Sequence, residues 1–229
     1  MILATICARA GSLGLPNKNL LELDGRSLIQ IAVDKAEECK LIDRIIVSTD
    51  IEARFLPRSA NFYNVGRPTN LRGGAIPKWM VLQELLRNYK DVEIEAVVDI
   101  DVTRPLTNSD DILHTSTTWL DHADHDHTLA VCRADKTPYQ DILESDHDGF
   151  LTLSKGPEVT ARQDAPPCWY HGGIWVYGTD ALGVDHSPYD GKIGYHEIDP
   201  ERCLDIDNAA DWELVQTEYG KCPETSPAE

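Results

Sequence analysis

The chain has 229 residues, enough for one large domain or for a domain with a small accessory segment. Its formal net charge of −18 argues against nonspecific nucleic-acid binding, because proteins of that class neutralise phosphates with a basic face. No apolar run approaches the roughly 18 residues that a membrane-spanning helix needs. The first apolar run is also too short for a signal peptide. We therefore expect a cytoplasmic protein that binds neither nucleic acid nor membranes.

The cysteines are dispersed along the chain, and no two of them form a C-x-x-C pair. In a chain of this length, such spacing favours buried thiols in a reducing compartment over a disulfide framework. The six residues are Cys7, Cys39, Cys132, Cys168, Cys203 and Cys222.

Short apolar runs alternate with helical patterns in the first part of the chain. The predicted strands are ILATICA (2–8), DRIIVSTD (43–50), EAVVDIDV (95–102) and HTLAVCRA (127–134). The predicted helices are SLIQIAVDKAEECK (27–40), PKWMVLQELLRNYK (77–90) and NSDDILHTSTTWLDH (108–122). Ser27 is a suitable N-cap for the first helix, and Pro77 suits the first turn of the second. This alternation predicts an α/β fold with a doubly wound, mostly parallel sheet.

The pattern changes after residue 134. Residues 135–170 are polar and weakly periodic, so we expect a small insert between the two parts of the α/β domain, residues 1–134 and 171–219. The later predicted elements are a strand and turn at GGIWVYGTDAL (172–182), short strands at YHEID (195–199) and CLDID (203–207), and a helix at NAADWELVQTEY (208–219). Residues 220–229 are predicted to be a disordered tail.

The loop after the first strand, ARAGSLGLPNKNL (8–20), is the first candidate binding site. Alpha/beta sheets bind ligands at the carboxyl ends of their strands. Glycines let backbone amides approach phosphates, and Arg9 and Lys18 would neutralise them. The spacing matches neither the G-x-G-x-x-G fingerprint of dinucleotide-binding folds nor the P-loop. Taken alone, the loop is equally compatible with a surface turn that carries two incidental cations.

The same loop resembles A-R-x-G-S-K-G-L-P-x-K-N, the signature of the acylneuraminate cytidylyltransferases, which make CMP-sialic acid and related activated nonulosonic acids. DRIIVSTD resembles the family's second strand, and GRPTNL resembles its R-P-x-x-L motif. ARQDAPPCWYHGGIWVY resembles R-Q-[DQ]-x-P…N-G-A-I-Y, and LDIDNAADWEL resembles I-D-I-D-T-x-x-D-L. These matches occur in the family's order and span nearly the whole chain, from Ala4 to about Glu218.

The resemblance implies a Rossmann-like nucleotidyltransferase fold that joins CMP from CTP to the anomeric hydroxyl of a sialic-acid-like sugar, with Mg²⁺ as cofactor. It also implies a homodimer that pairs through residues 135–170. The nucleotide-binding positions that it implies are Ala8, Arg9, Gly11, Ser12, Lys18, Asn19 and Arg67. The implied sugar-binding positions are Asp101, Thr103, Arg104, Arg162, Gln163, His171 and Gly172. The implied metal ligands are Asp205 and Asp207, and the implied catalytic residues are Arg9, Lys18 and Asp207.

The chemistry of the residues is consistent with these roles. A strand would place Asp205 and Asp207 on one face, because side chains alternate along a strand. Mg²⁺ takes one or two carboxylates together with substrate phosphates. The pattern is common, since Asp99 and Asp101 have the same spacing. The histidine-rich HADHDH (122–127) is predicted to be a solvated loop and not a metal site.

Several positions depart from the family pattern. Leu13 replaces a phosphate-facing lysine, for which Lys78 or Arg72 would have to compensate, and Gly74 replaces an aspartate. In DIDVTRPLT, Asp101 replaces a glutamine, Arg104 a serine and Thr107 an arginine; His171 replaces an asparagine. The changes concentrate in the sugar pocket, which favours a legionaminate- or pseudaminate-like sugar over N-acetylneuraminate. A sugar-phosphate nucleotidyltransferase using GTP or another nucleotide, and a non-catalytic paralogue, remain alternatives.

Overall fold

A computed structural model gives the fold of the chain. It describes residues 1–11, 14–57, 62–71, 76–89, 91–156, 159, 161–182 and 187–221. Four positions discussed above lie outside the described residues: Ser12, Leu13, Arg72 and Gly74. Residues 222–229 of the predicted tail also lie outside them, whereas Gly220 and Lys221 form a described turn after the last helix.

A seven-stranded sheet forms the centre of the molecule, in the order β11-β7-β10-β6-β1-β4-β5. Only β10 runs antiparallel to its neighbours, so the predicted doubly wound, mostly parallel sheet is confirmed. Its strands, in chain order, are β1 (Ile2–Ala8), β4 (Arg44–Thr49), β5 (Phe62–Gly66), β6 (Ala96–Ile100), β7 (His127–Arg133), β10 (Trp169–Gly178) and β11 (Ile193–Glu197). Two small hairpins supply the remaining strands, β2 (Glu22–Leu23), β3 (Arg26–Ser27), β8 (Leu143–Ser145) and β9 (Leu151–Leu153).

The described part of the chain contains five α-helices: α1 (Leu28–Glu38), α2 (Lys78–Arg87), α3 (Ser109–Asp121), α4 (Thr179–Leu182) and, after the last strand, α5 (Ala209–Tyr219). Their starts follow the predicted caps. Ser27 Oγ accepts the amide of Gln30 at 3.2 Å, and Asn108 and Asn208 each form a reciprocal capping box with the aspartate three residues later. Pro77 precedes α2 as its N-cap residue and does not lie in the first turn.

The core lies on both faces of the sheet. Helices α1, α3 and α5 cover one face and pack on alternate residues of the strands, including Ala4, Ile6 and Val98. Helix α2 packs on the opposite face against Val97 and Leu129. Two helical layers around one sheet leave only the strand ends open, so polar side chains with access to solvent collect at the carboxyl edge.

Several elements differ from the sequence-based expectation. The segment CLDID is not a strand: a 3₁₀ helix, Pro200–Cys203, leads into irregular backbone. Pro200 has no N–H, and Ile206 donates its amide to the carbonyl of Thr103 at 3.0 Å, so the segment binds a loop and adds no strand to the sheet. Strand β5 was not predicted, and strand β10 begins at Trp169, so it includes the last two residues of the predicted insert.

The cysteine prediction is wrong for one pair. Cys132 on β7 and Cys203 at the end of the Pro200–Cys203 helix form a disulfide, with Cα atoms 6.5 Å apart. They meet because the segment before Cys203 follows β7, where Ile198 donates its amide to Val131 at 2.8 Å. Cys7, Cys39 and Cys168 are free thiols.

The histidine-rich segment is only partly a solvated loop. His122 is exposed, whereas His127 is buried in β7 with its ring edge against Tyr177. Within the described residues, no group of three or more histidine, cysteine, aspartate or glutamate side chains has the arrangement of a metal site. None of the helices in this described part of the chain has the length and apolar character needed to cross a membrane.

Candidate active site

The loop after β1 lies at the carboxyl edge of the sheet, as the sequence predicted. The amide of Ala10 donates to Asp50, which follows β4, at 2.7 Å. Asn19 is buried and donates its side-chain amide to the carbonyl of Arg9 at 2.9 Å. These bonds hold the loop across the ends of β1 and β4, so Arg9 is presented at the edge where α/β folds bind their ligands.

The opening loop also contacts the acidic segment near the end of the chain. Lys18 Nζ lies 3.2 Å from Asp207 Oδ1, although 189 residues separate the two along the chain. Gly14 makes this approach possible, because a Cβ there would collide with the carbonyl oxygen of Asp207. The Lys18 side chain is largely buried and that of Asp207 is 75% exposed, so the carboxylate is accessible to a ligand.

Lys78, at the start of α2, forms ion pairs with two carboxylates at the end of β6. Its ammonium is 2.6 Å from Asp99 Oδ2 and also contacts Asp101 Oδ1. Thr5 Oγ1 donates to the other oxygen of Asp99 at 3.0 Å. The ammonium is therefore already neutralised by acidic side chains, and the idea that Lys78 replaces the lysine missing at position 13 is not supported by this arrangement.

The two carboxylates differ electrostatically. Burial raises the pKa of Asp99, and Lys78 only partly offsets that effect. Burial would also raise the pKa of Asp101, but the nearby ammonium of Lys78, together with the guanidinium of Arg104, holds it below its ordinary value. Asp101 is thus ionised at neutral pH and can only accept hydrogen bonds.

Arg104 connects the loop after β6 to the acidic segment. It is 6% exposed; its guanidinium donates to Asp205 Oδ2 at 3.0 Å and also to the carbonyl of Cys203. Gly173 has a φ of 87° and lies directly beneath this side chain, where any Cβ would collide with it. The position that the resemblance assigned to sugar binding thus carries a guanidinium already bound to two protein oxygens.

His171 lies beside this cluster, on β10. Its Nδ1 is 3.9 Å from Asp101 Oδ2. Burial and the charge of Arg104 lower the pKa of His171, so the imidazole is neutral at neutral pH. Gly172, next to it, is packed against Ile198 and Cys203 and has no room for a side chain.

Asp205 and Asp207 reach the edge through irregular backbone and not through strand alternation. Their carboxylates accordingly have different partners, Arg104 for Asp205 and Lys18 for Asp207. Asp205 Oδ1 is buried and has no hydrogen-bond partner among the described residues. A carboxylate oxygen left without a donor is a suitable ligand for a hard cation such as Mg²⁺, which needs only one or two protein carboxylates when phosphates complete its shell.

Other predicted positions are placed less directly. Arg67 is buried after β5, with its guanidinium against the Cys7 thiol. Burial of Cys7, together with the charge of Asp99, raises the pKa of this thiol to about 12. Arg162 and Gln163 are exposed in the insert. Arg162 pairs with Asp141 at 3.4 Å, and within the described ranges no ion pair joins it to the cluster at the sheet edge.

Two lysines near this edge were not among the predicted site residues. Lys78 was considered only as a substitute for a missing phosphate ligand. Lys35 lies on α1 at 6% exposure and contacts the loop that carries Arg104. The sequence did contain a signal for Lys35, because this residue shares the helical spacing of the apolar residues Leu28, Ile31 and Ala32. A lysine on the apolar face of a helix indicates a buried cation.

Comparison with known proteins identifies the family. The sequence profile described as cytidylyltransferase matches residues 3–142. The chain belongs to this family. Similar proteins include CMP-N,N'-diacetyllegionaminic acid synthase of Campylobacter jejuni, 27% identical over 94% of this chain and 93% of that one. Post-translational flagellin modification protein B of Campylobacter coli is 28% identical, with the same coverage. An N-acylneuraminate cytidylyltransferase of Streptococcus agalactiae is 28% identical over 90% of this chain and 50% of its own length.

Solved structures support the fold of this cytidylyltransferase. CMP:2-keto-3-deoxy-manno-octonic acid synthetase complexed with CTP superimposes with a TM-score of 0.71, covering 96% of this chain and 98% of that one at 17% identity. 4-Diphosphocytidyl-2C-methyl-D-erythritol synthase from Anaerococcus prevotii gives a TM-score of 0.63 at 16% identity. The Rossmann-like nucleotidyltransferase fold implied by the motifs is therefore confirmed.

Proposed function

We propose that this enzyme transfers CMP from CTP to the anomeric hydroxyl of a nonulosonic acid and releases pyrophosphate. The observation that carries the proposal is the pairing of Lys18 with Asp207 at the carboxyl edge of the sheet. It brings the cation proposed to bind phosphate and the carboxylate proposed to bind the metal to one place, in a chain that belongs to the cytidylyltransferase family. The relatives named for CMP-legionaminic and N-acylneuraminic acids support a sugar acid as acceptor.

In the proposed reaction, the anomeric hydroxyl loses its proton to solvent and its oxygen forms a bond to the α-phosphorus of CTP, while the bond to the pyrophosphate oxygen breaks and pyrophosphate leaves. Arg9 and Lys18 bind the triphosphate and neutralise charge that develops during transfer, with Ala8 and Gly11 offering backbone contacts and Asn19 holding the loop. Ser12, outside the described residues, is proposed for the same group. Positioning and charge stabilisation lower the barrier.

Two further nucleotide-side roles are proposed. Arg67, buried beside β1, contributes to recognition of the base. Asp205 and Asp207 would hold Mg²⁺, and the unpartnered Oδ1 of Asp205 fits that role. When bound, the ion supplies charge neutralisation at the phosphates.

The sugar acid is proposed to lie against Asp101, Thr103, His171 and Gly172. Arg104 shapes this pocket through its bonds to Asp205 and Cys203. An ionised Asp101 needs a donor from the ligand, such as a hydroxyl or N–H group. A legionaminate-type sugar is favoured over N-acetylneuraminate, because the resemblance has a neutral glutamine in place of this carboxylate.

We also propose a homodimer that pairs through the insert, and a cytoplasmic location. The β8–β9 hairpin exposes Phe150 and Leu151, which are 71% and 63% accessible, and burial of such side chains favours association. In this arrangement Arg162 and Gln163 would contact the sugar bound by the partner subunit. Light scattering at micromolar concentration should give twice the chain mass, and a fully active monomer would exclude this arrangement.

Pyrophosphate release measured with CTP and a panel of sugar acids tests the function. We expect turnover with a nonulosonic acid, with CTP preferred over GTP, ATP and UTP. Turnover with a sugar phosphate and another nucleotide would instead identify a sugar-phosphate nucleotidyltransferase. Binding of CTP without release of pyrophosphate for any acceptor would identify a non-catalytic paralogue.

A further inference from the structure

Lys35 is a buried lysine on the apolar face of α1. Its side chain crosses from the helix to the loop after β6, where Nζ donates to the carbonyl of Arg104 at 3.1 Å and to Thr107 Oγ1 at 2.8 Å. Thr107 Oγ1 in turn donates to the same carbonyl at 3.0 Å. All three residues are less than 9% exposed. The loop is thus held to α1 by one closed set of polar contacts.

Burying an ammonium group in order to hold a loop is energetically unfavourable. Removing an ammonium from water costs several kcal/mol, and apolar side chains of similar volume often give equal or greater stability. The other inward-facing residues of this helix are apolar, among them Leu28, Ile31 and Ala32. Stability of the fold therefore does not explain why a lysine occupies this position.

The loop that Lys35 holds is bound on its other side to the acidic segment. The Arg104 guanidinium donates to Asp205 Oδ2 and to the carbonyl of Cys203. One residue earlier in the loop, Thr103 accepts the amide of Ile206 at 3.0 Å. These bonds bracket Asp205, so the position of its carboxylate depends on where Lys35 places the main chain at Arg104.

We propose that Lys35 is a positioning residue of the active site. Through Arg104 it fixes the orientation of Asp205, whose Oδ1 has no hydrogen-bond partner among the described residues. The proposal rests on the proposed function only for the metal that Asp205 would bind; the mechanical link from Lys35 to residues 203–207 stands independently.

Hydrogen exchange and Mn²⁺ binding test this link without relying on turnover. Lys35→Met removes the ammonium and keeps the length of the side chain. Lys40→Met is the matched control, because Lys40 is exposed just beyond the same helix. We expect faster amide exchange in peptides that cover 101–108 and 203–208 in Lys35→Met only. With CTP present, Mn²⁺ titration by electron paramagnetic resonance should give a dissociation constant three- to tenfold higher in that variant.

Thr107→Val serves as a second variant if Lys35→Met does not fold. It removes one partner of the ammonium and should change exchange and Mn²⁺ affinity in the same direction by a smaller factor. Unchanged exchange and Mn²⁺ affinity in Lys35→Met, or faster exchange throughout the chain, would overturn the proposal. Absence of Mn²⁺ binding by the wild type would overturn the part of the proposal that concerns the metal bound by Asp205. A wild type that binds CTP and Mn²⁺ but transfers nothing contradicts the proposed function, while the exchange data still decide on Lys35.

Discussion

Lys78 and Asp101 form an ion pair between the first turn of α2 and the end of β6. Asp99 shares the same ammonium from deeper in the sheet, where it is 1% exposed. The result is one cation between two carboxylates, of which only Asp101 borders the proposed sugar pocket. If the proposed pocket binds the sugar, an acceptor-only group at its border should make the choice of sugar sensitive to this one side chain.

We expect Asp101→Gln to change sugar selectivity. If Asp101 accepts a hydrogen bond from the sugar, the variant should lose about 1–3 kcal/mol in kcat/KM for the native sugar, the cost of leaving a buried polar group unpaired. Selectivity should move towards N-acetylneuraminate. The measurement is kcat/KM for a sugar panel at two Mg²⁺ concentrations, with Asp99→Asn as the control for lost charge. An equal loss for every sugar, with a higher Mg²⁺ concentration needed for half-maximal activity, would place Asp101 near the metal. No change in either quantity would remove it from the site.

Lys18→Ala should abolish turnover and leave the fold intact. Because the Asp207 carboxylate is 75% exposed, solvent screens its ion pair with Lys18, and losing the pair should cost no more than about 1 kcal/mol of stability. The loss should therefore appear in pyrophosphate release and not in the melting temperature. Lys221→Ala, which removes another lysine paired with a nearby carboxylate, should leave both unchanged. Near-wild-type turnover in Lys18→Ala would refute the role assigned to the opening loop.

Asp207→Asn should raise the Mg²⁺ concentration needed for half-maximal activity and lower the rate. A neutral amide is a poorer ligand for a hard cation than a carboxylate. Because the Asp207 side chain is exposed, the substitution should leave the fold unchanged, which circular dichroism checks. Glu213→Gln, on the exposed surface of α5, is a control for the change in charge. An identical Mg²⁺ titration in Asp207→Asn and wild type would exclude Asp207 as a ligand.

Lys35 should also contribute to the pH dependence of stability. Burial lowers its pKa from 10.5 to about 7, opposed by Asp111, Asp101 and Glu38. Between those two values the unfolded chain binds the proton more strongly than the folded protein, so this group makes the free energy of unfolding rise with pH from about 7 to 10.5. Urea denaturation of wild type and Lys35→Met across that range should show the rise only in the wild type. Parallel pH profiles for the two proteins would contradict the shift.

The sequence by itself determined the order of the main elements and the family. Hydrophobic alternation and caps such as Ser27 and Asn108 are local signals, so β1, α1, β6 and α3 lie close to where they were predicted. The opening loop was a candidate phosphate-binding site because of its glycines, Arg9 and Lys18, but only the motifs elsewhere in the chain favoured that interpretation over an incidental surface turn.

Only the tertiary structure decided which polar groups are available at the site. Local pattern suggested that Asp205 and Asp207 share a strand face, whereas a loop places them against Arg104 and Lys18. The resemblance assigned Arg104 to the sugar, and Lys78 was considered as a phosphate ligand. In the fold, both cations instead bind buried protein oxygens. Arg104 and Asp205 are 101 positions apart along the chain. Nothing in the local sequence around either residue specifies so distant a partner. The cost of leaving buried charges unpaired selects these contacts only once the sheet has brought the segments together.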